Sequence, residues 1–435
     1  MTRTHVFRWA LVVALVFVAG GSPAAQKKQA KKAQPPAPKV QILQPAAEET
    51  LHGAVDVAVK ITPPRGGKMP ASVYAGFGGE PWVPLNEAPS GEWRARIDSA
   101  LVPNGPQTLT VVAGSPKAAA SIPVKLENPL KCYFGDLHSH TSYSDGSLIP
   151  SVAHKYAREI AKLDVFSLTD HLEKVDDAEW DDLREQAFKA NDDGRFVDIP
   201  GLEWTKKLGH ANIFDPKTRL WPEDAPSMYQ AAAEAGVIVK FNHPGTGEKV
   251  FDGLAYSEVG DRAVELMEVR RAEEEQAFLR ALKLGWHLAP DGSDDTHAPD
   301  WGNVKSWTGI WAPGLSYRNI WDALKHRHVY STLDRNCKLL FTLNGAVMGD
   351  IVEQPAEKLE IEVSVEDADA QDAIAKIELF EDGAVVGAHE PQTPACRWKM
   401  SRTPAPGKHY YFVKVTQADG NNLWSAPVWI TAAGE

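Results

Sequence analysis

The sequence predicts an α/β core domain set between two small all-β domains. Three observations carry this reading. Short alternating strand runs divided by turn residues fill residues 40–127. Apolar strands alternate with helical stretches over residues 129–336, the pattern of a parallel α/β domain. Strand-only patterning then returns over residues 337–435. A chain of 435 residues is also too long for one ordinary domain.

The first 25 residues read as a secretory signal peptide. Arg3 and Arg8 supply positive charge, Ala10 to Ala19 is apolar, and Ser22 to Ala25 offers small residues for cleavage. The apolar run is about half the ~20 residues that a spanning helix needs. A secreted or periplasmic protein with no stable membrane insertion after cleavage is therefore expected, with an uncleaved anchor as the alternative. Residues 26–39, rich in Lys, Pro and Ala, read as a flexible linker. Export and a formal net charge of −12 argue against a nucleic-acid partner. Cys132, Cys337 and Cys396 show no metal spacing and allow at most one disulfide within the chain.

In residues 40–127 the runs "AVDVAVKI", "ASVYAGF", "GEWRARID" and "QTLTVVAG" are separated by "PPRGGK" and "VPNGPQ", as in a β-sandwich. In residues 337–435 the runs "LLFTLNG", "LEIEVSVED", "AKIELFEDG" and "YYFVKVTQADG" carry hairpin turns at "EDG" and "ADGNN". Between them, "VAHKYAREIAKL" precedes "DVFSLTD", "SMYQAAAEAG" precedes "VIVKFNHPG", and "EEEQAFLRALKLG" precedes "WHLAPDG". Folds of this kind place their chemistry at the C-terminal ends of the strands.

Those ends are where the histidines lie. "CYFGDL" runs into His138 and His140, with Asp145 five residues on. "DVFSLT" runs into Asp170-His171, and "FVDIPGL" into Glu203. His210 begins the next extended piece, "VIVKFN" runs into His243, and "WHLAPDGS" runs into Asp294, Asp295 and His297. Six of the fourteen histidines fall at these places. Imidazoles mixed with carboxylates suit zinc, manganese or iron. So many ligands exceed what one tetrahedral ion uses, so two or three divalent ions are expected. Strand alternation pairs Asp295 with His297 and favours Asp295 over Asp294 as the ligand. His154, His287, His326 and His328 are read as structural.

Taken in order, "GDLHSHTSYSDG", "LTDH", "GLEWT", "GHANIF", "FNHPG" and "DDTH" resemble the successive motifs of the PHP (polymerase and histidinol phosphatase) superfamily. "GWHLAPDGSDDTHAPDWGN" and "DALKHRHVYSTLDRN" resemble its CehA/McbA-type metallohydrolase branch, and the match covers about Tyr133 to Gly349. The resemblance implies a distorted (β/α)7 barrel, here flanked by two Ig-like β-sandwiches. It implies one ion held by His138, His140 and Asp295. Glu203 would bridge it to a second held by His210 and His243, and Asp145, His171 and His297 would hold a third. Some members have histidine where this chain has Asp145.

The function expected is metal-dependent hydrolysis of a small-molecule ester, with Glu203, Asp295 and His243 as candidate catalytic residues. Multi-metal sites activate water and clamp the reacting oxygens, so no Ser-His-Asp triad is needed. A phosphoester is the leading substrate, a carbamate or carboxylic ester the alternative. Lys206, Lys207, Lys240 and Arg335 are candidate phosphate-binding cations, and Trp204, Trp301, Trp307 and Trp311 candidate walls of an apolar cleft. A reading of another class is an extracellular glycan- or polymer-binding protein with a vestigial metal site. Its aromatic contacts would be Trp82, Trp93, Trp398, Trp424 and Trp429.

Overall fold

The structure, a computed structural model, describes residues 37–78, 83–114, 117–219, 221–245 and 251–433. The expected signal peptide and all but the last three residues of the linker lie outside the described residues.

The N-terminal segment forms two sheets, one of four strands and one of five. On the strand Ala54–Thr62, Val55, Val57, Val59 and Ile61 point inward because successive side chains alternate between faces. They pack against Val73, Ala75 and Phe77 of the strand Val73–Phe77, closing a sandwich core. The unit is tied to the α/β segment through hydrogen bonds. Ser316 Oγ donates to the Leu101 carbonyl at 2.9 Å and Asn319 Nδ2 to the Ala100 carbonyl at 2.7 Å.

The chain as a whole is mixed α/β and rich in strands. In the central segment the hydrogen-bonded ladders divide between two sheets. One contains Val197–Asp198, Val165–Phe166 and Lys131–Asp136 in parallel, followed by Trp307–Ala312 and Val329–Thr332 in antiparallel register. The other runs Gly201–Lys206, Gly209–Phe214, Ile238–Asn242, Val264–Glu268, Ala289–Asp291, its last three strands parallel. The hairpin joining Gly201–Lys206 to Gly209–Phe214 departs from strict β/α alternation, because two tightly linked strands can only pair antiparallel. The two sheets meet at their rims. His171 bridges Glu203 and Ser139 bridges Thr296. Helices Pro150–Glu159, Asp177–Ala190, Ala225–Ala235, Ala272–Leu284 and Tyr317–Lys325 connect the strands. Asp176 opens the second of these with a capping box, its carboxylate taking the Glu179 N–H while Glu179 reaches back.

The first sheet does not stop at residue 337. Val329–Thr332 pairs with Asn422–Ser425, which pairs with Gly407–Gln417, so C-terminal strands extend the same eleven-stranded sheet. A four-stranded sheet, including Cys337–Leu343, Leu359–Asp367 and Ala395–Arg402, also lies in this segment. Leu339, Phe341 and Leu343 alternate into one core with Ile361, Val363 and Val365. All three cysteines are free. Among the described residues no helix is long and apolar enough to cross a membrane.

Candidate metal centre

The nine residues singled out in the sequence converge. His138 and His140 stand just past the strand Lys131–Asp136, and both are fully buried. Their Nε2 atoms lie 3.2 Å apart. Asp295, from the loop after Ala289–Asp291, sets Oδ1 at 3.2 Å from His138 Nε2 and 2.9 Å from His140 Nε2. That buried oxygen nonetheless makes no hydrogen bond. Two ring nitrogens and an orphaned carboxylate oxygen facing one another could hold a metal ion.

Glu203, within Gly201–Lys206, sits behind this group and is 1% exposed. His171 Nδ1 lies 2.7 Å from its Oε2, His210 Nδ1 3.2 Å from Oε1, and His243 Nε2 3.5 Å from Oε1. Nearer the surface, Asp145 Oδ1 is 3.2 Å from both His171 Nε2 and His297 Nε2. Three overlapping groups result: His138, His140 and Asp295; Glu203, His210 and His243; and His140, Asp145, His171 and His297. Several of these residues could hold metal ions.

Local structure explains the convergence. Asp170 accepts from the Thr141 N–H and hydroxyl and from Ser144 Oγ, folding the Asp145 loop over the strand end. Gly146 packs its backbone against the His140 carbonyl, where a Cβ would come within 2.5 Å of backbone atoms. His243 and Asp295 adopt φ of 31° and 55°. Non-glycine residues reach that region at a cost, and such strain clusters where geometry serves a site.

Electrostatics separates the members. Burial opposes charge on His138, but Asp295, Glu268 and Glu203 outweigh it and push the imidazole up to about 10. Burial and the neighbouring His138 charge pull His140 down against the attraction of Asp295 and Glu203. Burial works to raise Glu203 and Asp295, yet the surrounding imidazoles hold both carboxyls below their ordinary range. A proton on His138 thus balances carboxylate charge that a bound cation would otherwise balance.

Sequence reasoning missed the supporting residues. Glu268, the last residue of Val264–Glu268, accepts from His138 Nδ1 at 2.6 Å, which leaves Nε2 free to face the centre. Asn242 Nδ2 donates to Glu203 Oε1 at 2.8 Å, Thr205 Oγ1 lies 2.7 Å from His171 Nδ1, and Trp301 Nε1 donates to the His140 carbonyl at 2.9 Å. The available signal was position: Glu268 ends a strand as His243 follows one.

Several expected substrate contacts are placed elsewhere. Lys240 is fully buried and paired with Glu268 at 2.8 Å and Asp291 at 3.3 Å, so it is not available to a phosphate. Arg335 donates to the Ala161 and Lys162 carbonyls, and Lys206 is paired with Glu173 and Glu223. Trp204 and Trp301 are buried in the core, and Trp311 donates to the Leu339 carbonyl. Trp307 lines a cleft of about 520 Å³ with Arg270, Arg271, Asp294, Lys305 and Leu333. Asp294 faces this cleft rather than the three groups. Trp93, Trp424 and Trp429 are buried, and Trp82 lies outside the described residues. Of the remaining histidines, His154 pairs with Asp198, His287 with Asp261 and His328 with Asp350.

No family model and no curated protein matches the chain. Among solved structures, an endo-β-1,4-mannanase from Thermotoga petrophila aligns at 11% identity over 23% of this chain and 21% of its own, with a TM-score of 0.19. The chain thus spans about a fifth of that enzyme's length. Fibronectin(III)-like modules of Clostridium thermocellum CbhA align at 22% identity over 21% of this chain and 94% of their own, TM-score 0.17. A Parabacteroides merdae β-glucuronidase aligns at 9% identity over 91% of this chain and 66% of its own, TM-score 0.20.

Proposed function

We propose that the chain is a metal-dependent hydrolase of small-molecule esters, built on a distorted (β/α)7 arrangement of the PHP type and exported through its N-terminal segment. The observation that carries the reading is the convergence of His138, His140, Asp145, His171, Glu203, His210, His243, Asp295 and His297 into three overlapping donor groups. Divalent ions bound there would supply activated water and polarise the substrate oxygen.

The chain's own residues prepare that chemistry. Glu268 fixes the His138 tautomer and aims Nε2 inward. Glu203 lies against imidazoles of both neighbouring groups and joins the first to the second. Burial of His138, His140 and Glu203 excludes bulk water from the inner groups, which strengthens every charge interaction within. A phosphoester is the favoured substrate, because exposed Lys305 gives the adjoining cleft positive charge, beside an Arg271 that is paired with Glu274 at 2.9 Å. A carbamate or carboxylic ester is the second reading, favoured by the apolar wall of Val304, Trp307 and Leu333 in the same cleft.

The test is chelation followed by parallel assays on a chromogenic phosphodiester, phosphomonoester and aryl carbamate. Turnover of one class should vanish in chelated protein and return with zinc, manganese or iron. Full activity after verified metal removal would refute the proposal.

A further inference from the structure

A second cluster of carboxylates lies in a different chemical setting. Asp334 follows the strand Val329–Thr332, Asp367 ends Leu359–Asp367, and Asp372 precedes Ile374–Glu381. Their carboxylate oxygens come within 4.8 Å of one another. Two are braced by loop backbone: Asp334 Oδ1 accepts from the Asn336 N–H at 3.0 Å and Asp367 Oδ1 from the Asp369 N–H at 2.7 Å. Among the described residues no lysine, arginine or histidine forms an ion pair with any of the three.

What they face is an independent observation. Gln417, the last residue of Gly407–Gln417, is 1% exposed and thrusts its amide into the cluster. Its Nε2 lies 2.8, 2.6 and 3.1 Å from Oδ2 of Asp334, Asp367 and Asp372. An amide nitrogen has two hydrogens, so it cannot satisfy three carboxylates at once. Its Oε1, meanwhile, is buried without any partner. A half-turn of the amide exchanges the two atoms and aims the orphaned oxygen at the carboxylates, which only a cation makes favourable. Burial and the mutual repulsion of Asp334, Asp367 and Asp372 raise the Asp367 carboxyl, and burial with Asp419 and Asp334 raises that of Asp372.

We propose that Asp334, Asp367, Asp372 and the Gln417 amide oxygen form a calcium site, separate from the histidine centre, that pins together three loops at the end of the eleven-stranded sheet. The donors are all oxygen, with no imidazole or thiolate. That selects a hard cation over zinc, and loops from three strands supply the adaptable cage that calcium accepts more readily than magnesium does. The loops concerned carry Leu333 and Asn421, which line the cleft beside the histidine centre. The site stands whether or not the hydrolase reading does.

The experiment uses the full chain dialysed against EGTA and titrated with calcium by calorimetry, with melting followed in parallel. Expected are one equivalent of bound calcium and a melting midpoint that rises with the logarithm of calcium concentration. Both should persist in His138→Ala/His140→Ala and vanish in Asp372→Asn. Asp334→Asn, on a different loop, serves if Asp372→Asn does not fold. No saturable heat in the wild type, an unchanged response in the folded aspartate variants, or loss in the histidine variant would overturn the proposal.

Discussion

The histidine centre rests on a second layer of charge, and the two layers are balanced differently. Below the rim, Glu268 and Asp291 are fully buried beside Lys240, and Glu268 also meets Arg270 at 3.3 Å. At the rim, the ion-pair partners of Glu203 and Asp295 among the described residues are all imidazoles: His138, His140, His171, His210, His243 and His297. The lower carboxylates carry their own permanent counter-charge. The upper ones have partners that can give up protons in exchange for metal. The same residue types thus build a scaffold in one layer and a ligand shell in the next.

Removing the permanent charge should give the largest effect on folding. Lys240→Met strands Asp291 in the interior and leaves Glu268 with Arg270 and His138, and breaking a buried pair by losing one partner costs about 3–5 kcal/mol. Denaturant unfolding of the metal-free variant should show that loss. An unchanged midpoint would mean that the lower layer is not held by this lysine.

At the rim, Glu203→Gln should leave the fold intact but lower the number of metal ions per chain, measured by elemental analysis, and abolish turnover with it. Glu268→Gln reaches the rim through His138 Nδ1 and the His243 backbone N–H, each 2.6 Å from a Glu268 oxygen, and should weaken metal binding by about 10–100-fold while the donors themselves remain. Equal metal affinity in that variant would show that the His138 tautomer is fixed by something else.

Titration separates the layers further. The His138 imidazole is raised to about 10 from an ordinary 6.5 in the metal-free protein, after burial is outweighed by Asp295, Glu268 and Glu203. A raised imidazole contributes stability that is fully present below pH 6.5 and lost as pH rises towards 10. Metal-free protein should therefore lose stability over that window. Metal-loaded protein, in which the cation replaces the proton, should not; parallel losses in both forms would sever the link between His138 and the ion.

This contrast also explains what could be read in the sequence. His138, His140, His171 and His243 announced themselves because histidine at successive strand ends is conspicuous, and strand ends of α/β domains share a rim. Glu268 and Asp291 end strands as well, but carboxylates abound in an acidic chain and nothing local marks these two as buried. Lys240 looked like a cation facing the site because strand alternation cannot tell an interior position from a rim when both faces of the strand are covered. The alternation of Val55, Val57 and Val59 made the N-terminal sheets legible. The pairing of Val329–Thr332 with Asn422–Ser425 was not, since long-range register leaves no local trace.

The smallest effect should come from the outermost group. Asp145 is 39% exposed and shares its Oδ2 with Lys174 Nζ at 2.6 Å, while His297 is equally open. Burial tends to raise the Asp145 carboxyl, but Lys174, His171 and His297 outweigh it and lower it. An ion in this group competes with a lysine already in place and with solvent, where charge interactions are weak. Asp145→Asn should therefore release one ion, leave those held by His138, His140, Asp295 and by Glu203, His210, His243, and reduce turnover less than Glu203→Gln does. Lys174→Met removes the competitor and should tighten binding of the same ion. If instead Asp145→Asn emptied all three groups, the outer and inner sites would form one cooperative cluster, and the graded centre inferred from burial would be wrong.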